Sequence, residues 1–249
     1  MKKFFEFVTA ILIVSAVGFL IYFMYQSGNA SKNRELAKRM AEISPRGGPP
    51  ETIDGLREAI ALYEDQIEKN VREGAQTGVY WKILATRLAD RNMHNDALAA
   101  LERAVYFNTE DPVLFYLTGV SASFVAKSSV GFLNARENER EHYYKLAENA
   151  YLRALELDIT YTRPMYGLAV LYVFELDRPQ EAITQLERYL QIQTNDFSAM
   201  FILARAHFML REYARAVEIY DRIINRSRDK DIREEAMLNR DIIQGILYE

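Results

Sequence analysis

The side chains in this chain that could do chemistry are few and widely spaced. Its three histidines, His94, His142 and His207, stand far apart, and none has a second histidine or a cysteine at metal-ligand spacing, so each is expected to be a surface or packed imidazole. Cysteine is absent. That removes disulfides, thiolate nucleophiles, cysteine zinc sites and lipid-modified cysteine together, and leaves the redox compartment open. Two glycine clusters, Gly47-Gly48 and Gly74 to Gly78, lack the Lys-Ser/Thr ending or the preceding strand that a phosphate-cradling loop needs. Around Arg136, Glu137, Glu139, Arg140 and Glu141 the signs alternate, which suits a solvated helix start better than a pair of catalytic carboxylates. No catalytic, cofactor or metal site is expected, and the reading is that this chain is not an enzyme. The formal charge is -4, with Lys and Arg mixed among Asp and Glu; no basic face is available to neutralise phosphates, so nucleic acid is disfavoured as a partner.

The information lies instead in a recurring spacing of small and large apolar residues. Ala85, Gly119, Ala169 and Ala204 mark one position, and Ala97, Ala147, Ala182 and Ala216 a second. Successive marks fall about 34 residues apart, with one residue more between Ala169 and Ala204 and an insertion of about 16 between Gly119 and Ala169. Two helices joined by a tight turn approach closely only where neither carries a bulky side chain, so paired small residues set the helix separation. Large residues recur around them: Trp81, Phe115, Met165 and Met200 four positions before the first mark, and Leu101, Tyr151, Leu186 and Tyr220 four after the second, on the same helix face. This predicts four helix pairs near 78–111, 112–160, 162–195 and 197–230. Ala169 and Ala182 should face one another in the third.

The pattern resembles the tetratricopeptide-repeat family, most clearly in Trp81, Leu84, Ala85, Ala97, Leu101, Ala104 and in Met165, Leu168, Ala169, Tyr172, Ala182, Leu186. Thr118 departs from the family's Leu, and Ala122 and His207 from its Tyr. The resemblance implies an all-α solenoid of about four helix-turn-helix repeats plus capping helices, and says little about the ligand. Helix 51–72, with Ala59, Tyr63 and Ile67, should cap one end of a solenoid covering 51–249. A C-terminal cap over 231–247 should set Met237, Ile242, Ile243 and Ile246 against the fourth repeat. Asp111 and Asp196 stand where they can accept the free amides of a first helical turn.

Ahead of the repeats, Lys2 and Lys3 precede an apolar run that ends at Tyr25, and residues 1–25 are expected to form an uncleaved transmembrane anchor, because the run exceeds the ~7–15 residues of a cleaved signal core. Residues 26–50 make a juxtamembrane helix and a Pro/Gly linker. The membrane partner is thus Phe4 to Tyr25. The preferred orientation is a bacterial inner-membrane protein with its repeats in the periplasm; Lys32, Arg34, Lys38 and Arg39 after the anchor argue for the alternative, repeats in the cytoplasm.

The resemblance further implies a concave groove lined by first-helix positions. Here those fall on Lys82 and Thr86, Tyr116 and Val120, Tyr166, Val170 and Val173, and Phe201, Arg205 and Phe208. The family's carboxylate clamp is not assembled: Lys82 matches, but Thr86 and Leu117 replace both asparagines and Arg163 stands with Gly167. A Tyr, Val and Phe stripe suits an amphipathic helix or apolar segment better. In the insertion, Phe132 and Leu133 are candidates either to dock on a partner or to fill the groove. The expected function is a membrane-anchored scaffold for another protein of a cell-envelope complex; the alternative is a chaperone-like or secretion- or motility-associated receptor for an apolar peptide or helix.

Overall fold

In the computed structural model the described residues are 34, 37–39, 41–42, 50, 52–128 and 134–248. The expected anchor, most of the linker and the insertion residues Phe132 and Leu133 lie outside them. No described helix is long and apolar enough to cross a membrane. The described residues fall into two compact units, divided between Glu73 and Gly74.

Nine helices are described: α1 (Ile53–Ala89), α2 (His94–Phe107), α3 (Pro112–Ser128), α4 (Asn134–Leu157), α5 (Thr162–Phe174), α6 (Pro179–Ile192), α7 (Phe197–Met209), α8 (Tyr213–Arg226) and α9 (Lys230–Tyr248). From Gly78 onward they pair as α1 with α2, α3 with α4, α5 with α6 and α7 with α8, each pair holding one small residue of each kind. All eight small marks are buried, and Ala97, Ala147, Ala169, Ala182, Ala204 and Ala216 have no exposed surface at all. Leu101, Tyr151, Leu186 and Tyr220 are buried with them, as are Met165 and Met200. One continuous core runs from α3 to α9, and a smaller cluster of Ala85, Ala100, Leu101, Ala104 and Leu114 ties α1 and α2 to α3. The first helices α3, α5 and α7 also touch in sequence, which makes their side the inner, tighter wall of the stack.

The turns have a local cause. Asn92, Asp177 and Arg211 adopt left-handed backbone at φ 60°, 51° and 59° between the helices of the first, third and fourth repeats. In all three the N–H that follows closes the helix end, Met93 onto the Leu88 carbonyl, Arg178 onto that of Tyr172 and Glu212 onto that of His207, each at 2.9 Å. The second repeat replaces this turn with its insertion. The flanks of that insertion are held by Glu175, which accepts from the Tyr144 hydroxyl and pairs with Lys127 at 3.0 Å. Asp111 accepts the Val113 amide at 2.9 Å and Asp196 the Ala199 amide at 3.0 Å, capping α3 and α7.

Two expectations need correction. A helix over 51–72 ending before Gly78 is instead the first part of α1, which runs unbroken through both glycines. Gly78 serves close approach, since a Cβ there would stand 2.8 Å from the Phe107 Cβ, whereas one on Gly74 would meet the same ring at an ordinary 3.9 Å. In α9 the buried residues are Ala236 and Ile243, with Ile232 packed beside them, while Met237, Ile242 and Ile246 are 40 to 55% exposed. Ile243 is thus enclosed as expected, and the stripe through Ile232, Ala236 and Ile243 leaves Met237, Ile242 and Ile246 outside it.

Candidate protein-binding face

The first-helix wall is built on aromatic rings that each lean on a second ring. In the second repeat Tyr116 lies 6.2 Å from Tyr151 and 5.6 Å from Tyr161, in the third Tyr166 lies 5.5 Å from Tyr189, and in the fourth Phe201 lies 5.8 Å from Tyr220. Tyr116, Tyr166 and Phe201 are half-buried, with Val120 and Val170 between them at similar exposure. A ring braced on one side and open on the other offers apolar area without much entropy left to lose. Burial raises the Tyr166 hydroxyl pKa, with the Asp196 carboxylate adding to it. Asp196 is already engaged, accepting the Tyr189 hydroxyl at 2.6 Å while it caps α7.

The two arginines of this wall face rings. The Arg163 guanidinium sits 5.9 Å from the Tyr116 ring centre and that of Arg205 5.0 Å from Phe174. Both side chains are exposed, and neither forms an ion pair among the described residues. Lys82 is in the opposite condition. Its ammonium lies 2.7 Å from Asp111, with side-chain exposures of 33% and 17%, so its charge is already matched. It borders a cleft of about 860 Å³ to which Val79, Ile83, Phe107 and Leu114 contribute apolar walls.

Of the residues the sequence marked, Val173 does not belong to this face. It is 4% exposed and part of the core. The sequence reading passed over two exposed rings: Phe174, 47% exposed, joins the wall under Arg205, while Phe124, 49% exposed, packs against α2. Both stand five residues after the small mark of their helix, and that spacing was the available signal. The histidines have separate tasks. His94 stacks on Phe124 with ring centres 4.3 Å apart, and both its ring nitrogens are buried without a hydrogen-bond partner; burial lowers its pKa. His142 meets Tyr143 edge-on, and the buried His207 shares its Nδ1 with Glu212 at 2.6 Å. Among the described residues no cluster of His, Asp and Glu could hold a metal ion.

No family model matches the chain. A curated relative, a TPR repeat-containing protein of Borreliella burgdorferi, is 22% identical over 218 residues, which covers 86% of this chain and 92% of the relative. Among solved structures, YrrB, a TPR protein with an unusual peptide-binding site, aligns over 73% of this chain and 83% of its own at 18% identity, with a TM-score of 0.57. MamA from Desulfovibrio magneticus RS-1 aligns over 69% and 96% at 13% identity, with a TM-score of 0.53. With four helix pairs stacked on buried small residues, the fold is that of a tetratricopeptide-repeat solenoid.

Proposed function

We propose that this chain is a membrane-anchored scaffold whose first-helix wall binds another protein, with residues Phe4 to Tyr25 as the anchor and the repeats held in the periplasm as part of a cell-envelope complex. The observation that carries the reading is the wall itself: Tyr116, Tyr166 and Phe201 are braced yet open, and Arg163 and Arg205 lie over rings with no carboxylate paired to them. Such a surface suits an extended or helical apolar segment that also carries acidic groups. The tied Lys82 argues against a clamp for a free peptide terminus. The peptide-binding site named for YrrB supports a peptide or protein ligand on this fold. The apolar length after Lys2-Lys3 supports the anchor and its orientation.

The test is photo-crosslinking in cells, with the crosslinking residue at Arg205 on the inner wall or at Glu218 on α8. The reading expects one protein captured from Arg205 and not from Glu218, and lost when Tyr166→Ala and Phe201→Ala are combined in a variant that still melts cooperatively. Equal capture from both positions, or capture surviving the double substitution, overturns it.

A further inference from the structure

The first part of α1 carries an apolar stripe that stands exposed among the described residues. Ile53, Leu56, Ile60, Tyr63 and Ile67 alternate three and four residues apart and are 41 to 70% exposed, and Val71 extends the stripe at 65%. The covered side of the same helix is a different one, with Ala59 buried and Leu62 and Gln66 partly so. Alternation of three and four is the seam of a coiled coil, in which each apolar knob needs a facing helix. A bilayer surface is a poor alternative, since acidic residues outnumber basic ones six to three between Ile53 and Glu73.

Charge selects the facing helix. Arg57 and Glu64 each follow a seam residue, Leu56 and Tyr63, and so flank the stripe on the same edge. If two copies of this helix run antiparallel with Leu56 layered on Ile67 and Ile60 on Tyr63, Arg57 of each copy stands beside Glu64 of the other, twice by symmetry. In a parallel pair the same edge would set Arg57 against Thr52 and Glu64 against Ala59, with no opposite charges meeting. Arg57 gives up little to re-pair, because its present contact with Asp54 is 3.4 Å long with side-chain exposures of 77% and 94%. We propose that residues 53–71 are a self-pairing helix through which two copies of this chain join antiparallel along the Ile53, Leu56, Ile60, Tyr63 and Ile67 seam.

The chain has no cysteine, so introduced thiols report the register directly. In the full-length protein in mild detergent, chains carrying Ile53→Cys and chains carrying Asn70→Cys should form a disulfide dimer when mixed, and neither should when oxidised alone. Sedimentation should show a dimer that Ile60→Glu weakens by about tenfold or more, since a carboxylate would then be buried in the seam. Arg57→Glu should weaken it less, and Arg57→Glu with Glu64→Arg should restore it. Ile60 is on the surface of the single chain, so melting of the repeats should be unchanged in that variant. A disulfide from Ile53→Cys alone would mean a parallel pair. A full-length protein that stays monomeric, or one whose dimer ignores Ile60→Glu, would mean that the stripe faces another protein or the bilayer. Any of these results overturns the proposal.

Discussion

Tyr151 joins the second and third repeats, and Gly119→Ala is the smallest change that tests this. A Cβ at position 119 would lie 2.5, 2.6 and 2.9 Å from Cε1, Cδ1 and Cγ of the Tyr151 ring. The ring is closely packed at a second glycine as well, since a Cβ at Gly167 would stand only 2.8 Å from Cζ, and the side chain is 4% exposed. Burial also pushes the Tyr151 hydroxyl pKa up to about 12, with Ser123 as its hydrogen-bond partner. Overpacking a core by one methyl costs about 1–3 kcal/mol, and alanine returns about 1 kcal/mol of helix propensity over glycine. With all three contacts below 3 Å the upper part of that range applies, for a net loss of about 1–2 kcal/mol. At roughly 2–4 °C per kcal/mol for a domain of this size, the melting midpoint should fall by about 2–8 °C.

Calorimetry of the full chain measures this, with Gly245→Ala as the matched control. An added Cβ at Gly245 meets nothing within 4 Å, so the same substitution in α9 should be neutral or stabilising by up to about 1 kcal/mol. Combining Gly119→Ala with Tyr151→Leu should cost less than the sum of the two, because the smaller side chain vacates the clash. A Gly119→Ala protein that melts at or above the parent temperature would refute the wedge, whatever the control does.

Other positions give independent tests. Because burial lowers the His94 pKa, the unfolded chain takes up a proton there before the folded one does; stability from this group is full above the unfolded value of 6.5 and declines as pH falls through the lowered folded value, so His94→Phe should flatten the melting midpoint over that acidic window. Asp196→Ala should destabilise by about 1–2 kcal/mol in thermal melts, since the α7 cap and the Tyr189 hydroxyl bond are lost together, whereas Asp196→Asn should retain much of both.

What the sequence disclosed of the fold was what depends on short-range spacing. Alanine and glycine at fixed separations are informative because an exposed helix face has no need of them at a constant period, and all eight marks are buried. Glycine misled where a single residue type serves two purposes. Gly74 and Gly78 have the spacing of a chain break, yet α1 runs through both, and at Gly78 it is Phe107 that needs the room. Gly167 belongs to no mark in the repeat, and its value appears only when the Tyr151 ring arrives from the preceding repeat, from a residue distant in sequence. Contacts of that kind leave no local periodicity to read.

The candidate binding wall was legible in part, and for a different reason. Position along a helix tells which residues share a side, so spacing puts Tyr116, Tyr166 and Phe201 at one repeat position, and it was the resemblance to the repeat family that implied a concave wall there. Position does not tell whether a neighbour has reached that side first. Val173 is enclosed in the core, and Lys82 is held by Asp111, which lies beyond α2 and was identified from sequence as a cap. One aspartate thus accepts the α3 amide through Oδ1 and the lysine ammonium through Oδ2. Lys82→Met should then lower stability by only about 0–1 kcal/mol, as expected for a partly exposed pair, and leave partner capture from Arg205 intact. Arg163→Glu should do the reverse, abolishing capture from position 205 at an unchanged melting midpoint. If Lys82→Met alone removes capture, the ion pair opens on binding and the charged end of the wall, not its aromatic middle, recognises the partner.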